Sequence, residues 1–341
     1  MRRRTLGQTG LDVSPLALGG LFTSDLGGGV QATIETLTRA FDLGINLIDT
    51  APAYANSEET LGLALAQTPN VPDDLVISTK LGGRPKPFDP LDRSSLIASA
   101  EQSLRYLGLE TLDVLIIHEP DRPRQYAWWT DPGRVEGPVL DAMDRLQKQG
   151  KIRYTGLGGT TVNEMHHLVA SAKFDVLLTA FNYSALFREA SLELLPTAKS
   201  LGMGVMIGSC LQQGGLAKRY DAYLTEKPAW MSAARYEQFR DLYALLDEVG
   251  IGLPELGIRF AAHHPAATAV LLGTSNAKHL QAGVEDLEKG PLPQSLLEKL
   301  DAIAARVPYR PFEEPMILPM GQPYFGPGIA NHGEGVRVGQ L

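Results

Sequence analysis

The stretch LVISTKLGGRPKPFDPLDRSSLIASAEQSLRYLGLETLDVLIIHEPD, residues 75–121, decides the fold. It opens on a short apolar run at 75–80 and reaches a second at 112–118, both rich in Ile, Leu and Val. Runs of that length and composition suit parallel strands buried on both faces. Between them, residues 90–107 carry apolar positions at three- and four-residue steps, which predicts an amphipathic helix. Gly108-Leu109 then supplies a helix C-cap and the return into the next strand. Strand, helix, strand in that order is a βαβ unit.

The same alternation extends in both directions. Further strand candidates are 14–20, 44–49, 152–158, 175–180, 204–208 and 268–273. Further helix candidates are 31–43, 58–66, 136–149, 162–172, 190–200, 233–249 and 277–288. Eight βα units predict an α/β protein built as one (β/α)8 TIM barrel over residues 1–307. The rival is a doubly wound dinucleotide fold, which calls for G-x-G-x-x-G after its first strand. No such match occurs, and Gly27-Gly28-Gly29 reads as a turn. Residues 308–341 hold six Pro and six Gly, so they predict a loop-rich tail packed on the barrel. The long segments 81–92 and 119–135 follow strands and belong to the active face of a barrel.

Composition narrows the function classes. Of 341 residues, 44 % are hydrophobic and 21 % charged, which excludes wholesale disorder. Net charge is 31 − 39 = −8 and no Lys/Arg cluster occurs, so no nucleic-acid partner is expected. The single cysteine, Cys210, allows no internal disulfide and fits a reducing, cytoplasmic setting. No apolar stretch approaches the ~18 residues of a membrane span. The opening MRRRTLGQTGLDVSP is too interrupted for a secretory signal.

Asp49, Lys80 and His118 end three consecutive predicted strands, and Tyr54 lies five residues past Asp49. In a parallel barrel these ends converge on one opening. An ammonium beside a phenol favours the phenolate, and a carboxylate holds the ammonium, so Lys80 is expected to lower the Tyr54 pKa from its usual value of about 10. Such a cluster moves a proton at an oxygen whose carbon exchanges hydride. Each residue also has a plainer reading: a turn cap for Asp49, a solvated lysine, a core histidine, a surface tyrosine. Their common position favours the catalytic one. Trp128-Trp129, in the loop after His118, read either as a pocket wall or as a core plug. Cys210 reads as an apolar filler, and the adjacent pairs His166-His167 and His263-His264 make poor metal sites. No metal is expected.

From Arg3 to about Val284 the chain resembles the aldo-keto reductases. The resemblance rests on RRTLGQTGLDVSPLALGG (3–20), GINLIDTAPAYANSEETLGLAL (44–65), ISTKLG (77–82) and LGLETLDVLIIHEPD (107–121), in that order. It implies a carbonyl–alcohol oxidoreductase acting on a small molecule, with Tyr54 as general acid/base, Asp49 and Lys80 tuning it, and His118 placing the carbonyl. It implies a nicotinamide dinucleotide across the barrel mouth, contacted by Gly20, Leu21, Asp49, Gly158, Gly159, Tyr183, Ser209, Leu211, Gly273, Ser275 and Lys278. The substrate pocket would be Phe22, Tyr54 and His118 with Trp128 and Trp129. NADP(H) is favoured, through Lys278 and Ser275, with NAD(H) as the alternative. The tail would close over the substrate side.

This chain departs from the family pattern in several places. Gly158-Gly159 stand where the family has the Ser-Asn that holds the carboxamide, Ala180 replaces a Gln, and Cys210 replaces a Pro. Ala282-Gly283 replace an adenosine-side Glu-Asn. An alternative function is a cofactor-binding regulatory or redox-sensing subunit with weak reductase activity, as in the channel β-subunits that share the resemblance. A Schiff-base lyase using Lys80 is the third. The intact set of four and the Asp49–Lys80 pairing argue against both. The particular carbonyl compound and the oligomeric state are not legible.

Overall fold

The computed structural model describes residues 1–84, 86–123, 126–228 and 231–309. A short antiparallel hairpin, β1 (Arg4–Thr5) and β2 (Asp12–Val13), precedes eight parallel strands. These are β3 (Leu16–Gly19), β4 (Leu47–Asp49), β5 (Val76–Leu81), β6 (Leu112–His118), β7 (Ile152–Gly159), β8 (Val176–Ala180), β9 (Gly204–Gly208) and β10 (Ala269–Gly273). Each pairs with its sequence neighbour, and β10 closes the ring against β3. The barrel read from the apolar runs is therefore the one observed. The tail expected at 308–341 lies, beyond Tyr309, outside the described residues.

Alternation along the strands separates two apolar layers. Leu47, Val76, Val114 and Ile116 fill the barrel interior together with Val176, Met206 and Ala269. Ile48, Ile77, Leu115 and Ile117 face the surrounding helices. Asp49, Lys80 and His118 lie two or four residues beyond inward positions of their own strands. They therefore continue the inward-facing set at the C-terminal rim, where hydrophobic filling stops.

The opposite end is closed by the hairpin. Leu6, Leu11 and Val13 pack onto the interior layer, and the Tyr154 hydroxyl donates to the Thr9 carbonyl. Gly7 adopts φ +59°, and a Cβ there would stand 2.2 Å from the Gly204 nitrogen, so only glycine fits this turn.

The helices are α1 (Gly29–Asp42), α2 (Ser57–Leu65), α3 (Arg93–Leu107), α4 (Pro138–Lys148), α5 (Val162–Ala170), α6 (Leu194–Ser200), α7 (Ala222–Thr225), α8 (Ala233–Val249), α9 (Leu253–Ala262), α10 (Ala277–Glu288) and α11 (Gln294–Ala304). One assignment changes. The segment 233–249 is helical, but it packs on α11, while α9 takes the barrel position against β10 and α10. α9 is a ten-residue helix with Pro254 in its first turn, where proline needs no hydrogen-bond partner. No described helix is long and apolar enough to cross a membrane.

The hairpin plug makes a stability prediction. Leu6 is 0 % exposed and Leu192 is 70 % exposed. Leu6→Ala should lower unfolding free energy by about 2–5 kcal/mol through cavity formation. Leu192→Ala should change it by no more than about 0.5 kcal/mol. Urea titrations of both variants check the contrast, and similar losses at the two sites would rule out a packed plug.

Candidate active site

The register of the barrel builds the site. Asp49 pairs with Ser78 across β4 and β5, and Lys80 sits two residues on, on the same inward face. The Ser78 hydroxyl donates to Asp49 Oδ1 at 2.7 Å. Lys80 Nζ donates to Asp49 Oδ2 at 2.6 Å and to the Thr50 carbonyl at 2.8 Å. Both side chains of the ion pair are essentially withdrawn from water, Lys80 at 1 % and Asp49 at 2 % exposure. Burial pulls the Lys80 pKa down, and Asp49 pulls it back up, with a net lowering.

Tyr54 reaches the same point from the loop between β4 and α2. Lys80 Nζ stands 4.6 Å from its ring centre, and the Tyr54 and His118 rings meet edge to face with centres 5.8 Å apart. A chain of buried hydroxyls ties this loop to its neighbour: Thr50 and Ser57 Oγ atoms are 2.7 Å apart, and Ser57 donates to the Gly20 carbonyl at 2.6 Å. One residue on, the fully buried Glu58 accepts from Thr79, which precedes Lys80, and pairs with Arg84. Arg84 in turn lies over the Tyr106 ring at 4.5 Å. Ser57, Glu58 and Arg84 thus lock the strands and loops that carry Tyr54 and Lys80. Sequence reasoning left them without roles, because their partners are far away in the chain.

The electrostatics reverse one expectation. The Tyr54 phenol is pushed well above its ordinary pKa, by burial first and then by the carboxylates of Asp49 and Glu119. His118 is pushed well below the ordinary histidine value by burial and by Lys80, so its ring is neutral near pH 7.

These four residues open on one cleft, also lined by Gly20, Leu21, Phe22, Gly158, Gly159, Ser209, Leu211 and Gly273. Glu119, Thr160, Phe181, Cys210 and Gln213 line it as well and were not singled out as contacts. The Cys210 thiol is buried and raised to about 12, which suits filler and not nucleophile.

Five expected contacts sit elsewhere. Trp128 is 0 % exposed and lies behind His118, donating its indole N–H to the His118 carbonyl at 3.1 Å among the rings of Phe88 and Tyr126. It is a plug and not a pocket wall. Trp129 likewise donates to the Pro120 carbonyl at 3.1 Å and does not line the cleft. Tyr183 stacks on Phe260 at 5.2 Å and meets His264 edge-on at 4.7 Å, away from the mouth. Phe181, just past the end of β8, has a left-handed backbone (φ +70°) and lines the cleft in its place. Ser275 and Lys278 lie beyond the cleft lining, Lys278 exposed in the first turn of α10 with its N–H taken by Asn276 Oδ1 at 2.9 Å.

Comparison with known proteins agrees with this geometry. The chain is 28 % identical over 327 residues to a putative voltage-gated potassium channel subunit beta of Schizosaccharomyces pombe, covering 88 % of this chain and 92 % of that protein. It is 27 % identical over 314 residues to L-galactose dehydrogenase of Arabidopsis thaliana, covering 88 % and 93 %. Pyridoxal 4-dehydrogenase of Microbacterium luteolum is 28 % identical over 327 residues, covering 83 % and 92 %. A sequence model of the Aldo/keto reductase family matches residues 17–305, nearly the whole barrel with its tetrad. The chain belongs to the Aldo/keto reductase family.

Proposed function

We propose that this protein is an NAD(P)(H)-dependent oxidoreductase that interconverts an aldehyde or ketone with its alcohol, using Tyr54 as proton donor and acceptor. One observation carries the reading: Asp49, Lys80, Tyr54 and His118 touch one another at the floor of a single cleft. Family membership supports the redox class and the nicotinamide cofactor. The residues present fit an extended dinucleotide, since seven of those lining the cleft are glycines and leave a long open floor of backbone. When bound, the nicotinamide supplies or accepts the hydride.

The chain's own residues handle the proton. Tyr54 is protonated at neutral pH, so it is poised to donate to the substrate oxygen as that carbon is reduced, and to take the proton back in oxidation. Neutral His118 offers a ring N–H to the same oxygen. Lys80, fixed by Asp49 and the Thr50 carbonyl, keeps the Tyr54 ring in place and stabilises the phenolate left after proton donation. Leu21, Phe22 and Phe181 supply apolar walls that keep water from the reacting oxygen.

The relatives named for L-galactose and pyridoxal dehydrogenation support a small polar substrate. The relatives named as channel subunits favour a second reading, a cofactor-bound regulatory subunit with weak turnover. Multiple-turnover NAD(P)H oxidation with a panel of aldehydes, ketones and sugars separates the two. Turnover supports the enzyme, and tight cofactor binding with no turnover supports the subunit.

Three outcomes are expected of the enzyme. Tyr54→Phe should lower kcat by about 10²–10⁴-fold, the span of general-acid contributions, with cofactor affinity nearly unchanged. Stopped-flow rates and a fluorescence titration of the same variant check both halves.

In the reductive direction the active form is protonated Tyr54. Its raised pKa keeps that form populated as pH rises to about 10, and the lowered His118 pKa removes any change near about 6.5. The kcat/KM profile for reduction should therefore be flat between those values, while oxidation rises with pH. An inflection inside the interval would contradict the assignment.

Lys278 is the one cation in the 271–280 loop that resembles the family's adenosine-side loop. Because it is exposed, Lys278→Ala should weaken NADPH by about 1 kcal/mol or less and leave NADH unchanged. Equal effects on the two cofactors, measured by calorimetry, would move the 2′-phosphate contact elsewhere.

A further inference from the structure

The wall at the end of β7 raises a question that rests on the cofactor reading above. By the family resemblance Gly158 and Gly159 stand where side chains would hold the nicotinamide carboxamide, and at both positions a Cβ would crowd neighbouring side chains. A Cβ at Gly158 would stand 2.8 Å from Ile116 Cγ2. One at Gly159 would stand 2.2 Å from Met165 Sδ and 2.6 Å from Asp121 Oδ1. Neighbouring side chains fill the space a Ser-Asn pair needs, so the polar anchor comes from another residue.

Thr160 follows directly and lines the same cleft. Its position is set by two consecutive residues of the loop after β6. Asp121 Oδ2 accepts from the Thr160 N–H at 2.9 Å, from the Thr161 N–H at 2.7 Å and from the Thr161 hydroxyl at 2.8 Å. Arg122 Nε donates to Thr160 Oγ1 at 2.6 Å. The Glu119 N–H donates to the Gly158 carbonyl at 2.7 Å, so the whole turn from 158 to 161 is held from one side.

The direction of the Arg122 bond decides the chemistry. A guanidinium has donors only, so Thr160 Oγ1 must be the acceptor, and its own hydrogen is not spent on that contact. No acceptor among the described residues takes that hydrogen. A hydroxyl that receives a charge-assisted bond is also a stronger donor in its turn. We infer that Thr160, oriented by Arg122, donates to the carboxamide oxygen of the nicotinamide and replaces the absent Ser-Asn contact. Arg122 is a positioning residue in this arrangement, and Thr160 is the contact.

The test compares the natural cofactor with its thionicotinamide analogue, whose sulfur is the poorer acceptor. Calorimetric titration of the full-length wild-type chain should give weaker binding of the analogue by about 3- to 10-fold, the worth of one such hydrogen bond. Thr160→Val keeps the shape and removes the hydroxyl. It should weaken the natural cofactor by a similar factor and bind both dinucleotides alike, and Thr160→Ser should restore the difference. A Thr160→Val variant that keeps wild-type affinity and full discrimination overturns the inference, as does a wild type that binds both forms equally. Should the Val variant not fold, as read from its melting temperature, the wild-type and Ser comparisons decide alone. A wild type that binds no nicotinamide dinucleotide overturns the cofactor reading itself, and this inference with it.

Discussion

A lysine ammonium at 1 % exposure is the constraint on which the rest of the site depends. Removing such a charge from water costs several kcal/mol, and a buried ion pair offsets that only when the remaining donors and acceptors are also met. Here they are: Asp49 takes Lys80 and Ser78, and Lys80 has the Thr50 carbonyl as a second acceptor. The pair forms because parallel register brings Asp49 opposite Ser78 and alternation turns Lys80 to the same face. Its consequence is electrostatic as much as geometric. Burial first, and then the carboxylates of Asp49 and Glu119, push the Tyr54 phenol well above its ordinary pKa, so it keeps its proton. The lysine still acts on His118, which it helps to keep neutral.

The four candidate catalytic residues were legible because each depends on a local rule. A strand buried on both faces reads as an apolar run, and its last residue is where an ionisable side chain interrupts the run. Asp49, Lys80 and His118 all satisfy that description. Contacts carried by loops obey no such rule. Phe181 and Tyr183 are two residues apart and would share a face in a regular strand, yet a left-handed backbone at Phe181 sends them to different surroundings. Trp128 left both readings open in the sequence, because loop composition does not say whether a large ring covers a pocket or fills the space beneath it. The Glu58–Arg84 and Asp121–Thr160 pairs join residues 26 and 39 positions apart, and nothing in their spacing announces them.

α9 marks the same limit at the level of the fold. Ten residues beginning Leu-Pro present a weaker periodic signal than the seventeen of α8. A count of eight helices was satisfied by the stronger candidate. Tertiary packing, and not periodicity, assigns the barrel position to α9.

The glycine wall is tied to the floor of the cleft through packing. Ile116 lies two residues before His118 on the same inward face of β6, and it occupies the space a side chain at Gly158 would need. A larger residue at 158 would have to displace Ile116, and with it the strand that aims His118. Close-packed interiors transmit such shifts because they have little free volume to absorb them. Binding at this wall therefore cannot be altered on the strand without disturbing the histidine. The tolerant positions are those just beyond it, in the turn held by Asp121 and Arg122, where a side chain meets the cleft without touching the interior layer.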